Sequence, residues 1–250
     1  MPPARLLLRQ PAMDAPTSPH ASAFDERPRP VFAISPHLDD AVLGCGAVLA
    51  SRPGAVVVTA LAGGPASWES VTPWDAECGF SAGDDVIAAR RAEDREALSH
   101  LGATPVWLDF LDAQYGPSPG VADLATALTG ALDAAEPDLL LFPLGLYHAD
   151  HALVAQAVIP ILAARPHLEA CAYEEPTYRT IPGVVEQALT RLEQRGFRTS
   201  AAHFDLPPEC HERKRRAVHA YRSQLVGLTT PGRPGLDEAF ERERLWRILR

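Results

Sequence analysis

Four short runs of almost unbroken apolar residues constrain this chain more than any other feature. Residues 31–35, 55–60, 105–110 and 138–143 are each too short for a core helix, and the second, Ala-Val-Val-Val-Thr-Ala, is rich in β-branched side chains. Runs of this kind suit strands buried on both faces. Helical patterns lie between them. One covers 41–50, another opens at Asp84/Asp85 and runs through His100 to a Leu101-Gly102 stop, and a third covers 121–135. Beyond the fourth run the sequence predicts a helix over 152–164, a strand over 170–173, a helix over 184–195, an alternating strand over 199–206 and one long helix over 209–226. The tail, 229–250, reads as loop and then short helix.

Strands that alternate with helices imply an α/β fold: a single Rossmann-like three-layer domain with a mainly parallel sheet and helices on both faces. With 250 residues the chain is long enough for one such domain with a proper core. Residues 1–29 carry six prolines and no periodic pattern, so they read as a flexible leader. The expected layout is that leader, a domain over 30–228, and a C-terminal loop and short helix packing on it. Residues 61–83 form the one long connection and carry Trp68, Trp74 and Phe80; loops of this length are uncommon unless functional.

Composition narrows the partners. Net charge is −9, and the one basic run, Arg213-Lys214-Arg215-Arg216, sits beside Glu209 and Glu212 as a solvated helix face, so no nucleic acid is expected. No apolar run approaches the ~18 residues that span a bilayer, and Leu6-Leu7-Leu8 is far short of a signal segment. No membrane partner follows. Cys45, Cys78, Cys171 and Cys210 are scattered without a CxxC pair, which fits a reducing, cytoplasmic setting. The sequence is compatible with a homo-oligomer.

Two clusters carry the chemistry. Pro36-His37-Leu38-Asp39-Asp40 follows the first apolar run, and His148-Ala149-Asp150-His151 follows the fourth. Both fall at the carboxyl ends of parallel strands, the edge where open α/β sheets bind ligands. His37 and Asp40 can converge on one ion, and adjacent carboxylates repel one another unless a cation is near. Alternatively Asp39 or Asp40 merely caps the following helix. Paired with the histidines of the second cluster, the set reads as one metal site with open coordination positions. Gly44-Cys45-Gly46 lacks the third glycine of a dinucleotide fingerprint, which argues against a nucleotide-binding Rossmann protein.

These residues resemble the LmbE-like, or PIG-L-like, zinc-dependent N-acetylglucosaminyl deacetylases. The resemblance rests on Pro36-His37-Leu38-Asp39-Asp40, Arg90-x-x-Glu93 with Ala97 and Leu101-Gly102, and His148-x-Asp150-His151. Tyr173-Glu174-Glu175-Pro176 and Lys214 with Ser223-Gln224 add to it. It implies that His37, Asp40 and His151 hold Zn2+, that Asp39 is the general base, and that His148 polarises or protonates the reacting amide. It further implies that Asp150 orients His148 and that Arg90 binds substrate. Two histidines and one carboxylate also suit Fe2+. Leu38 stands where the family commonly has proline and Ala41 where it often has glutamate, and neither position is a ligand.

The implied activity is removal of an N-acetyl group from an N-acetylglucosamine-type sugar in a small soluble glycoside. Alternatives are an amidase for a larger N-acyl group, or a catalytically silent sugar-binding protein. For Arg90 the bland alternative is an ion-paired surface arginine. Trp68 and Trp74 either wall a sugar ring, as aromatic faces can, or pack their loop onto the body.

Overall fold

The structure, a computed structural model, describes residues 31–232 and 235–250; the leader expected over 1–29 lies outside them. The elements follow the order β1 (Val31–Ser35), α1 (Asp40–Ala50), β2 (Val56–Thr59), α2 (Pro73–Glu77), α3 (Val86–Leu101), β3 (Thr104–Trp107), α4 (Val121–Ala135) and β4 (Leu139–Pro143). They continue as α5 (Ala149–Ala164), β5 (Glu169–Tyr173), α6 (Val184–Gln194), β6 (Arg198–Ala202), α7 (Pro208–Ala220), α8 (Arg222–Leu228), α9 (Asp237–Phe240) and β7 (Leu245–Leu249). The seven strands form one sheet in the order β3-β2-β1-β4-β5-β7-β6. Strands β1 to β5 pair in parallel, and β7 runs antiparallel to both β5 and β6.

Strand side chains alternate between two cores, as a period of two requires. Val31, Ala33, Leu139 and Leu141 pack with Val48 of α1, Leu98 of α3 and Val218 of α7. Phe32, Ile34, Leu140 and Phe142 pack with Leu128 of α4, Val158 of α5 and Leu192 of α6. Both faces of the central strands are covered, so their residues are apolar except for Ser35 and Thr59 at the carboxyl ends of β1 and β2. The α/β, three-layer reading of the sequence is borne out.

Three local readings need correction. The tail is not loop and short helix alone: after α9, Leu245–Leu249 enters the sheet as β7 between β5 and β6. The long helix expected over 209–226 breaks at Tyr221. There the ring is buried, its hydroxyl donates to Asp94 Oδ1 at 2.7 Å, and Glu93 accepts from Ser223 N and Oγ at the start of α8. Two carboxylates of α3 thus terminate one helix and begin the next. The connection over 61–83 is not bare loop, since it holds α2.

Helix α1 is itself broken at Cys45 (φ −143°, ψ 24°). Beyond the break, the amides of Ala47 and Val48 donate to the Glu243 carboxylate at 2.7 and 3.2 Å, and Lys214 Nζ lies 2.9 Å from the same carboxylate. Gly44 is required just before the break, because a Cβ there would stand 2.4 Å from the Tyr173 ring.

Glu243→Ala strands the buried Lys214 charge and two amides, so we expect a loss of about 3–5 kcal/mol in urea unfolding. Lys214→Met leaves the carboxylate its two amide donors and should cost less. Equal losses would mean that the amide bonds to Glu243 contribute nothing.

Candidate active site

Strands β1 and β4 are neighbours, yet the chain leaves β1 toward β2 on one side and β4 toward β5 on the other. That reversal opens a crevice at the carboxyl ends of β1 and β4. His37, Asp39 and Asp40 come from the turn after β1, and His148 to His151 from the turn into α5. Gly145 (φ 81°) and Tyr147 (φ 54°) let the second turn double back; the latter is an uncommon conformation for a residue with a side chain.

Three donor atoms meet there. Asp40 Oδ2 lies 3.1 Å from His37 Nδ1 and 3.2 Å from His151 Nε2, and the two nitrogens are 3.3 Å apart. Bonds of about 2.0–2.1 Å to a tetrahedral ion place neighbouring ligands about 3.3–3.4 Å apart. The triangle therefore has the size of one face of a zinc tetrahedron. His37, His148 and Asp150 also group together, with donor atoms within 4.8 Å of one another. Their tightest pair, His37 Nε2 to Asp150 Oδ2 at 3.2 Å, has the form of an imidazole backed by a carboxylate.

Both triangle histidines are backed in that way. His37 faces Asp150, and His151 Nδ1 lies 3.2 Å from Glu175 Oε1, which also accepts from the amides of Gly145 and Leu146. Such carboxylate-histidine pairs fix ring orientation and raise ligand basicity. Within the described residues, Asp150 Oδ1 and Glu175 Oε2 are buried without a hydrogen-bond partner. The cluster has more negative charge than its own donors satisfy, and a divalent cation fits that deficit.

Titration behaviour reports the same imbalance. Burial opposes protonation of His37, but hydrogen bonds to Asp150 and Asp40, and the charges of Asp40 and Asp112, carry its pKa well above the usual imidazole value. His151, likewise resisted by burial, is raised to about 9 by Asp40 and Glu175. The adjacent aspartates diverge. Burial raises Asp40, but His151 and His37 outweigh it and hold it well below the usual carboxylate range. Burial and the charge of Asp40 push Asp39 up to about 7.

Asp39 occupies the N-cap position of α1, yet its side chain makes no capping bond; Ser35 Oγ accepts from Ala41 N instead, at 2.9 Å. The helix-cap alternative for its carboxylate is therefore not what this structure holds. His148 does cap its helix: Nδ1 accepts from the Asp150 amide at 3.3 Å, which assigns the proton of the neutral ring to Nε2. Burial, and repulsion from His37 and His151, lower its pKa. The Asp150 carboxylate itself hydrogen-bonds His37 rather than His148.

Above the triangle lies a cavity of about 650 Å³, lined by His37, Asp39, Asp40, His148 and His151 at one end. Arg90 and Trp74 line it too, whereas Trp68 does not; its ring meets Tyr115 edge-on at 5.5 Å and joins the small apolar cluster around Leu38 and Ile87. Arg90 is no surface arginine. It is buried, and its Nη2 pairs with Asp75 Oδ1 at 2.9 Å. Glu175, Asp112, Tyr147 and Tyr178 are among the lining or backing residues with no assigned role in the sequence. Of these four, Glu175 alone had a signal, the Tyr173-Glu174-Glu175-Pro176 segment.

The family model described as PIG-L, GlcNAc-PI de-N-acetylase, matches residues 32–162. The chain belongs to the PIG-L family. Among solved structures it is similar to the zinc-inhibited form of teicoplanin deacetylase Orf2, at 26% identity over 88% of this chain and 98% of that one, with a TM-score of 0.76. It is also similar to the A40926 pseudoaglycone deacetylase Dbv21, at 27% identity over 90% and 98%, TM-score 0.73. A deacetylase triple mutant from the teicoplanin pathway is 28% identical over 88% and 98%, TM-score 0.73. No curated protein matches. No helix among the described residues is long and apolar enough to cross a membrane.

Calorimetric titration of this PIG-L protein with Zn2+ should show one tight site, abolished by His151→Ala. Glu175→Gln leaves the ligands in place and should weaken binding about 10–100-fold. Wild-type affinity in His151→Ala would rule out the triangle as the site.

Proposed function

We propose that the protein is a metal-dependent hydrolase that removes the N-acetyl group from an N-acetylglucosamine-type sugar in a small soluble glycoside. Membership of the PIG-L family supports this, as does likeness to the teicoplanin and A40926 deacetylases. The observation that carries it is the Asp39 carboxylate, buried beside the donor triangle and free of any capping bond.

His37, Asp40 and His151 hold the ion. Zn2+ is our reading, and Fe2+ also suits the donor set. When bound, the ion supplies Lewis acidity toward the amide carbonyl and lowers the pKa of water toward about 7. Asp39 takes the proton of the attacking water and returns it to the departing amine. His148, through Nε2–H, donates to the carbonyl oxygen as negative charge develops there, the stabilisation that matters most in acyl transfer. Asp150, by its carboxylate, orients His37, and by its amide fixes the tautomer of His148. Arg90 and Trp74 border the sugar. The setting is cytoplasmic, in keeping with four buried free thiols.

A second reading, cleavage of a larger N-acyl group, draws support from one feature. Leu43, Leu61, Ile87, Ile181 and Leu228 line the same cavity and give it more apolar wall than an acetyl group requires.

The test is release of acetate and free amine from N-acetylglucosaminides, alongside N-octanoyl analogues. Asp39→Ala should keep the ion and lose about 10²–10⁴-fold in kcat, with His148→Ala falling in the same range. Near-normal turnover in Asp39→Ala would remove it as the base. Faster octanoyl than acetyl cleavage would favour the second reading.

A further inference from the structure

Arg90 is the only arginine or lysine among the described residues that line the cavity, and its charge is already matched. Asp75, fully buried, lies 2.9 Å from Nη2, and the Tyr115 hydroxyl donates to the other Asp75 oxygen at 2.9 Å while standing 3.3 Å from Nη1. Other arginines near the wall are turned away. Arg179, between the lining residues Tyr178 and Thr180, gives its guanidinium to Glu238 and to the carbonyls of Glu238 and Arg242. Arg191 donates to the Gly145 carbonyl, and Arg91 to Ala62 O and Asp109.

Against this, Asp39, Asp40 and Asp112 line the cavity. A divalent ion at the triangle meets Asp40 directly, with Asp150 and Glu175 behind its histidines, so three carboxylates already face two positive charges. Asp112 remains, holding only neutral donors of Gln114 and lying 3.8 Å from His37 Nε2. A low-dielectric cleft lined by one sign of charge focuses that field on whatever enters.

We propose, resting on the hydrolase reading above, that the cavity selects amino-sugar glycosides whose aglycone is neutral or bears an amine, and discriminates against those bearing an anionic group. Arg90 shapes the wall and donates hydrogen bonds but is not an anion receptor, because Asp75 is its fixed counter-ion. Asp75 and Asp112 are thus specificity-determining residues.

The experiment compares methyl, 2-aminoethyl and 2-sulfoethyl glycosides of N-acetylglucosamine with the metal-loaded full chain; a sulfonate carries charge yet is a poor metal ligand. At low salt the sulfoethyl compound should fall about tenfold or more below the methyl in kcat/KM. The gap should narrow as salt is added. Asp75→Asn frees the Arg90 charge and should raise the sulfoethyl rate relative to the methyl; should that variant not fold, the wild-type salt series decides. Arg233, next to the lining residue Gly232 in sequence, is removed as Arg233→Ala, and the ranking should persist. A sulfoethyl substrate as good as the methyl at low salt, in the wild type or in Arg233→Ala, overturns the proposal. Absence of acetate from all three sinks the hydrolase reading instead, and calorimetric Kd values for the same compounds then decide the charge preference.

Discussion

The site depends on the hydrogen-bonded pairing of β1 with β4. Ala33 is level with Leu141, so the ends of the two strands release His37 and the His148–His151 turn at the same height. A slip of one residue would move one cluster by about 3.3 Å and turn its side chains to the other face. That displacement equals the edge of the donor triangle. The apolar alternation that separates Val31 and Ala33 from Phe32 and Ile34 therefore fixes more than the core. It fixes whether three side chains distant in sequence can share one ion.

Once they meet, charge dictates the rest. Asp39, Asp40, Asp150 and Glu175 are all buried around two imidazoles, an arrangement that desolvation makes costly without compensating positive charge. The carboxylates raise the proton affinity of His37 and His151 in compensation, and a divalent cation would compete with those protons for the same nitrogens. The two neighbouring aspartates separate because only Asp40 touches both imidazoles. Asp39 has the same burial without that contact, so it retains affinity for a proton. Under the proposed function, a ligand and a base thus arise from adjacent residues with one side chain type.

Much of this was legible in the sequence, for identifiable reasons. The central strands announced themselves because burial on both faces leaves polar residues only at their ends, and the two clusters because they fall at matching strand ends. Strand β7 was not legible: Leu-Trp-Arg-Ile-Leu has one polar interruption, lies among arginines, and becomes a strand only by pairing with β5 and β6. The break at Tyr221 likewise depends on Asp94 and Glu93 of another helix. The family resemblance assigned Asp150 to His148, whereas the fold brings its carboxylate to His37. Trp68 and Trp74 were indistinguishable as aromatic loop residues, and only packing against Tyr115 separates them.

The C-terminal segment joins the two halves of the site from behind. Glu243 holds the amides of Ala47 and Val48, and so the helix whose first turn presents Asp40. Its neighbour Arg244 accepts the Glu174 amide through its carbonyl at 2.9 Å, and Trp246 Nε1 donates to Glu174 Oε1 at 2.9 Å. Glu174 precedes Glu175, which orients His151 and closes the turn after β4. Residues 243–246 therefore grip both the helix that carries Asp40 and the loop that backs His151. The tail is part of the scaffold of the candidate metal centre, because the pairing of β1 with β4 sets the height of the donor triangle while these contacts restrain α1 and the β5 turn on the sheet.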